Sequence, residues 1–112
     1  MVNCVLEGEY KNYKIRRGSD CPWIDVDNKI INLNKGNIDT YDVITEEKVK
    51  SGTSAILRGL VGTAIFGPIG AIAGYSAKTK GTYLIAVLFK NGKKSLLQIN
   101  DIIYKEFVRA MF

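Results

Sequence analysis

Five basic side chains, Arg16, Arg17, Arg58, Lys78 and Arg109, are the groups of this 112-residue chain best suited to chemistry, and that chemistry is the holding of an anion. Arginine offers a rigid fork of N–H donors that matches phosphate or carboxylate oxygens. The net charge of +5 favours anionic partners without identifying one. Basic residues also interleave with aromatics at Tyr10, Lys11, Tyr13, Lys14, Arg16 and Arg17. That pattern suits either a phosphate- or base-stacking surface or an edge strand protected by lysines, and the second fits it better.

Residues for bond-making chemistry are scarce. The chain has no histidine, which removes the commonest general base and metal ligand. Two cysteines, Cys4 and Cys21, do not complete a structural zinc site without histidine, and they fit free thiols in a reducing cytoplasm. Asp25, Asp27, Asp39 and Asp42 lack the spacing of a calcium loop and read as solvated strand ends. Gly67 and Gly70 are not followed by the Lys-Ser/Thr of a phosphate-binding loop. We expect no catalytic residue, no metal and no cofactor, and read the chain as a non-enzyme.

The elements that must position the basic groups are mainly strands. Residues 4–17 read as one or two short strands, followed by a turn at Gly18-Ser19-Asp20. Trp23 to Val26 and Lys29 to Leu33 form a hairpin closed at Asp27-Asn28, residues 34–37 turn, and Ile38 to Thr45 is a one-sided strand. Thr82 to Lys90 places Tyr83, Ile85, Val87 and Phe89 on one face and Leu84, Ala86 and Leu88 on the other. Both faces are apolar, so this strand is central or covered on both sides. Asn91-Gly92 signals a two-residue type I′ hairpin, and the return strand spans Lys93 to Asn100. Asn100 or Asp101 caps a final helix, Ile102 to about Met111. Its apolar stripe is Ile103, Phe107, Ala110 and Met111, with Lys105 and Arg109 on the outer side.

Between these strands lies an uncharged run, Gly59 to Ala77, with five glycines and a central Gly67-Pro68. Residues 51–80 read as two short helices hinged at that dipeptide, with the proline in the first turn of the second helix. Ala55, Gly59 and Thr63 of the first helix recur at intervals of four, and in the second helix Gly70 and Gly74 form a small-xxx-small pair extended by Ala77. Such stripes of small residues allow close backbone approach. Phe66 lies with Ile56, Leu60, Ile65, Ile69 and Ile72 on the apolar faces, and we count it with the stripe residues as an assembly position. Each interior glycine costs about 1 kcal/mol of helix stability relative to alanine, so the segment needs close packing to form. Three readings compete: a single membrane span, a re-entrant or interfacial hairpin with lysine and arginine on both flanks, and a hairpin packed against its own sheet or against other copies. The compact remainder of the chain favours the last, and homo-oligomerisation within it.

The order EYKNYKIRR, a strand-rich middle, LRGLVGTAIFGPIGAIAG, NGKKSLLQI and a C-terminal helix resembles a group of small proteins of Gram-positive bacteria and their phages. Those proteins join a bacterial PH-like β-domain to a glycine-rich hairpin. The resemblance implies an α+β fold: a PH-like antiparallel sheet or partial barrel, an inserted Gly-rich helical hairpin and a C-terminal amphipathic helix. It also implies a phage or prophage setting, and it carries no activity over to this chain. The expectation is one domain over residues 1–112, comprising N-terminal strands (1–50), the insert (51–80), a β-hairpin (81–100) and the helix (101–112). The function expected is a binding and assembly protein that associates with itself and sequesters a host protein or an anionic nucleotide signal, as a counter-defence factor would. A peripheral membrane protein is the second reading and a nucleic-acid-binding regulator the third. The compartment expected is the cytoplasm or its membrane surface.

Overall fold

The computed structural model describes residues 3–44, 55–56 and 81–112. They form an α+β structure: one bent antiparallel sheet of seven strands, with a helix at the C-terminal end. The strands are β1 (Cys4–Gly8), β2 (Lys14–Arg16), β3 (Trp23–Val26), β4 (Lys29–Asn32), β5 (Ile38–Ile44), β6 (Thr82–Phe89) and β7 (Lys94–Asn100); the helix is α1 (Asp101–Met111). Their order across the sheet is β4-β3-β2-β1-β7-β6-β5. The inserted hairpin expected over 51–80, apart from Ala55 and Ile56, lies outside the described residues.

The period-two pattern of β6 decides the layering. Ile85, Val87 and Phe89 are buried with Val5, Ile15, Ile24, Leu97, Ile99 and the helix residues Ile103 and Phe107. On the opposite face Leu84, Ala86 and Leu96 are buried with Ile44 and Ile56. The sheet therefore carries apolar packing on both faces along β6 and β7, as expected for a strand covered on both sides. Ile56 belongs to that second cluster, whereas Ala55 beside it is exposed. Asn100 starts α1 by accepting the Ile103 N–H at 2.9 Å, which satisfies one of the unpaired donors of the first turn. Tyr41 meets Phe107 edge to face at 4.9 Å, and Tyr83 stacks on Tyr104 at 3.9 Å, fixing the helix against β5 and β6.

Two expectations need correction. The Asn91-Gly92 turn is not type I′, because Asn91 is not at positive φ; only Gly92 is, at 87°. The Gly92 N–H bonds to the Phe89 carbonyl at 2.9 Å and the Phe89 N–H to the Lys93 carbonyl at 2.7 Å. This is a turn through Lys90 and Asn91 closed by a left-handed glycine, and the Asn91 side chain accepts the Lys93 N–H. Second, β2 is not an edge strand. It lies between β1 and β3, and the edges are β4 and β5. Its tyrosine neighbours Tyr10 and Tyr13 pack on the core while Lys14 and Arg16 are exposed, so aromatic and basic groups do not share one surface.

Both thiols are buried and free. Burial pushes the Cys4 thiol above its ordinary range by disfavouring the thiolate. The Ser95 hydroxyl donates to the Glu9 carbonyl, and the Glu9 carboxylate pairs with Lys93 at 3.0 Å and holds that ammonium above its usual pKa. Among the described residues no helix is long and apolar enough to cross a membrane.

Candidate functional site

Residues 17–20, the first part of the connection from β2 to β3, face the outer stripe of α1. Helical periodicity puts Ile102, Lys105, Glu106 and Arg109 on one stripe, at i, i+3, i+4 and i+7, away from the buried Ile103 and Phe107. Together with Arg17, Gly18, Ser19 and Asp20 these residues line a hollow of about 260 Å³.

Local sequence chemistry shapes the connection. Gly18 sits where a Cβ would strike the Cys21 carbonyl oxygen and crowd the Trp23 ring. Only glycine permits that approach. The Trp23 indole N–H donates to the Arg17 carbonyl at 3.2 Å. Cys21 and Pro22 are buried, and the Pro22 carbonyl accepts the Leu33 N–H at 2.9 Å. The loop is thereby tied to the end of β4, where Asn34 forms a side-chain turn with the Gly36 and Asn37 N–H groups.

The electrostatics of the hollow are mixed but cation-rich. Arg17 Nε donates to Glu106 Oε2 at 2.6 Å, linking the loop to the helix. Lys105 pairs with Asp101 one turn earlier at 3.1 Å, with both side chains largely exposed. The Arg109 side chain is exposed and has no ion-pair partner among the described residues. Arg17, Lys105 and Arg109 therefore line one small volume with Asp20 and Glu106; Arg17 and Lys105 each already have a carboxylate partner, Glu106 and Asp101, and Arg109 does not. The exposed flank of Ile102 adds an apolar wall. Such an arrangement can hold an anion; a second hollow of about 270 Å³, lined by Tyr10, Ile31, Asn37, Phe89, Lys90 and Asn91, offers a single cation.

Of the five predicted anion-binding residues, Arg17 and Arg109 come together. Arg16 does not join them: alternation along β2 turns it away, and it pairs with Asp25 of β3 at 3.0 Å. Arg58 and Lys78 lie outside the described residues, as do the assembly positions Gly59, Thr63, Phe66, Gly70, Gly74 and Ala77. Sequence reasoning did not assign Lys105, Glu106, Asp20 or Ile102 to the site. The helical spacing back from Arg109 would have found Ile102, Lys105 and Glu106, whereas nothing local marks Asp20. No group of acids and cysteines that could hold a metal occurs among the described residues. Asp25 is paired with Arg16, and Asp27 accepts the Tyr13 hydroxyl at 3.2 Å, which raises the tyrosine pKa chiefly through the carboxylate's charge.

No family model matches the chain, and no curated protein or solved structure shows significant similarity to it.

Proposed function

We propose that this protein is a non-enzymatic binding and assembly module whose hollow between the β2–β3 connection and α1 takes a small anionic ligand. The observation that carries the reading is the convergence of Arg17, Lys105 and Arg109 on that hollow, with Arg109 lacking an ion-pair partner among the described residues. The seven-stranded bent sheet followed by a helix supports a PH-like scaffold, which is a platform for ligands and not a source of chemistry. In the phage or prophage setting that the sequence resemblance implies, such a protein would sequester a nucleotide signal or a host factor.

Trp23 is the only tryptophan and touches the loop that lines the hollow, so its fluorescence is the natural readout. Titration of the wild-type protein with inorganic phosphate at low salt should give a saturable change. Arg109→Ala should weaken it about tenfold, the effect of one charge-assisted hydrogen bond of roughly 1.5 kcal/mol. Equal binding by wild type, Arg17→Ala and Arg109→Ala would remove the anion-site reading.

Assembly rests on the small-residue spacing of the glycine-rich segment. Light scattering without detergent should give a mass above that of the 12.4 kDa chain, and Gly70→Leu with Gly74→Leu should lower it. A monomeric wild type that floats with liposomes would favour the peripheral membrane protein instead.

A further inference from the structure

The Arg17–Glu106 contact uses only part of each partner. The guanidinium reaches Glu106 Oε2 through Nε alone. The other carboxylate oxygen, Oε1, is buried and has no hydrogen-bond donor. A fork-to-fork pair would have occupied both oxygens and a second guanidinium nitrogen. The Glu106 side chain is only 13% exposed, whereas that of Arg17 is 67% exposed. The carboxylate is thus the fixed member, and it holds one edge of an otherwise uncommitted arginine. Because only Nε is engaged, the terminal nitrogens of Arg17 remain available to the hollow that this residue lines with Lys105 and Arg109.

Resting on the anion-site reading above, we propose that the hollow is a phosphate-monoester site and that Glu106 is its positioning residue. Arg109 and the uncommitted edge of Arg17 take the phosphate oxygens. Glu106 anchors Arg17 Nε so that this edge is presented. A carboxylate ligand is satisfied by one guanidinium fork, whereas a phosphate has three terminal oxygens and can engage both arginines and Lys105 together. The volume of about 260 Å³ leaves room for an organic remainder beyond the phosphate, with Ile102 as an apolar wall and Asp20 as an acceptor for hydroxyl donors. The monoester comes either from a soluble sugar phosphate or nucleotide or from the headgroup of phosphatidic acid.

The sign of the Glu106 effect separates positioning from bulk electrostatics. If only net charge matters, removing an anion beside the site tightens anion binding. If Glu106 positions Arg17, Glu106→Ala weakens it and Glu106→Gln, which retains an acceptor oxygen, does not. The experiment is Trp23 fluorescence titration at constant ionic strength with ribose 5-phosphate, inorganic phosphate and acetate. A parallel arm uses phosphatidylcholine vesicles with and without phosphatidic acid. Circular dichroism of each variant establishes that it is folded.

We expect ribose 5-phosphate or phosphatidic acid vesicles to bind about tenfold more tightly than acetate, with the stronger of the two identifying the source. Glu106→Ala should weaken binding about tenfold, and Glu106→Gln should bind at least as well as wild type. Tighter binding by Glu106→Ala, equal losses in both variants, or no preference over acetate would overturn the proposal while leaving an anion site in place. Absence of binding to every phosphate probe would overturn the anion-site reading as well.

Discussion

Phe107→Ala should lower the stability of the folded chain by about 3–5 kcal/mol, the range for deleting a buried aromatic side chain. The ring is fully buried, lies in the main core with residues of the sheet, and meets Tyr41 edge to face at 4.9 Å. Two losses add: the transfer free energy of the ring, and the cavity left where α1 rests on the sheet. The aromatic contact contributes about 0.5–1.5 kcal/mol beyond area burial. For a single domain stable by about 5–15 kcal/mol, a loss of this size removes a large share of the margin. The measurement is urea unfolding by circular dichroism, with the midpoint falling at nearly unchanged slope. Ile102→Ala, five residues away on the 51% exposed outer stripe, is the control and should change the midpoint little. A Phe107→Ala cost under about 1 kcal/mol, the level of an ordinary surface change, would mean that α1 does not dock through this stripe.

The difference between those two positions was readable in the sequence, because helical and strand periods are local. Ile103 and Phe107 mark the buried stripe by spacing alone, just as Tyr83, Ile85, Val87 and Phe89 mark one face of β6. The Asn91-Gly92 turn was readable in place but not in type, since the left-handed glycine serves a turn centred one residue earlier. The rank of β2 in the sheet was not readable at all. Exposed Lys14 and Arg16 look the same on an edge strand and on an inner strand with a polar outer face; only pairing with both β1 and β3 distinguishes them. The site shows the same limit. Arg17 and Glu106 stand 89 positions apart, and their contact exists because the helix docks across the sheet end. Arginine chemistry pointed to Arg17 and Arg109, but it pointed equally to Arg16, which strand alternation turns toward Asp25.

That dependence on docking makes Gly18 the most sensitive position of the loop. Gly18→Ala should destabilise the fold by about 1–3 kcal/mol, the usual cost of forcing extra atoms into a packed site. It should also weaken phosphate binding about tenfold, as loss of one charged contact would. The added Cβ would approach the Cys21 carbonyl oxygen closer than the 3.0 Å that real Cβ atoms keep, and would stand 3.1 Å from Trp23 Cδ1. A flexible side chain at that distance would swing aside, but the Cys21 oxygen is backbone. It belongs to a segment tied down on both sides, by Trp23 Nε1 on the Arg17 carbonyl and by the Leu33 N–H on the Pro22 carbonyl. The least costly relief is a shift of residues 17–19, which carries Arg17 away from Glu106 and breaks the 2.6 Å contact between loop and helix. Stability, phosphate affinity and the Trp23 emission maximum should therefore change together in this one variant. Thr40→Ser, at an exposed position of β5 outside the hollow, should change none of them appreciably. If Gly18→Ala lost stability yet bound phosphate as the wild type does, Arg17 would reach the anion without the loop geometry, and Arg109 with Lys105 would have to carry the site from the helix alone.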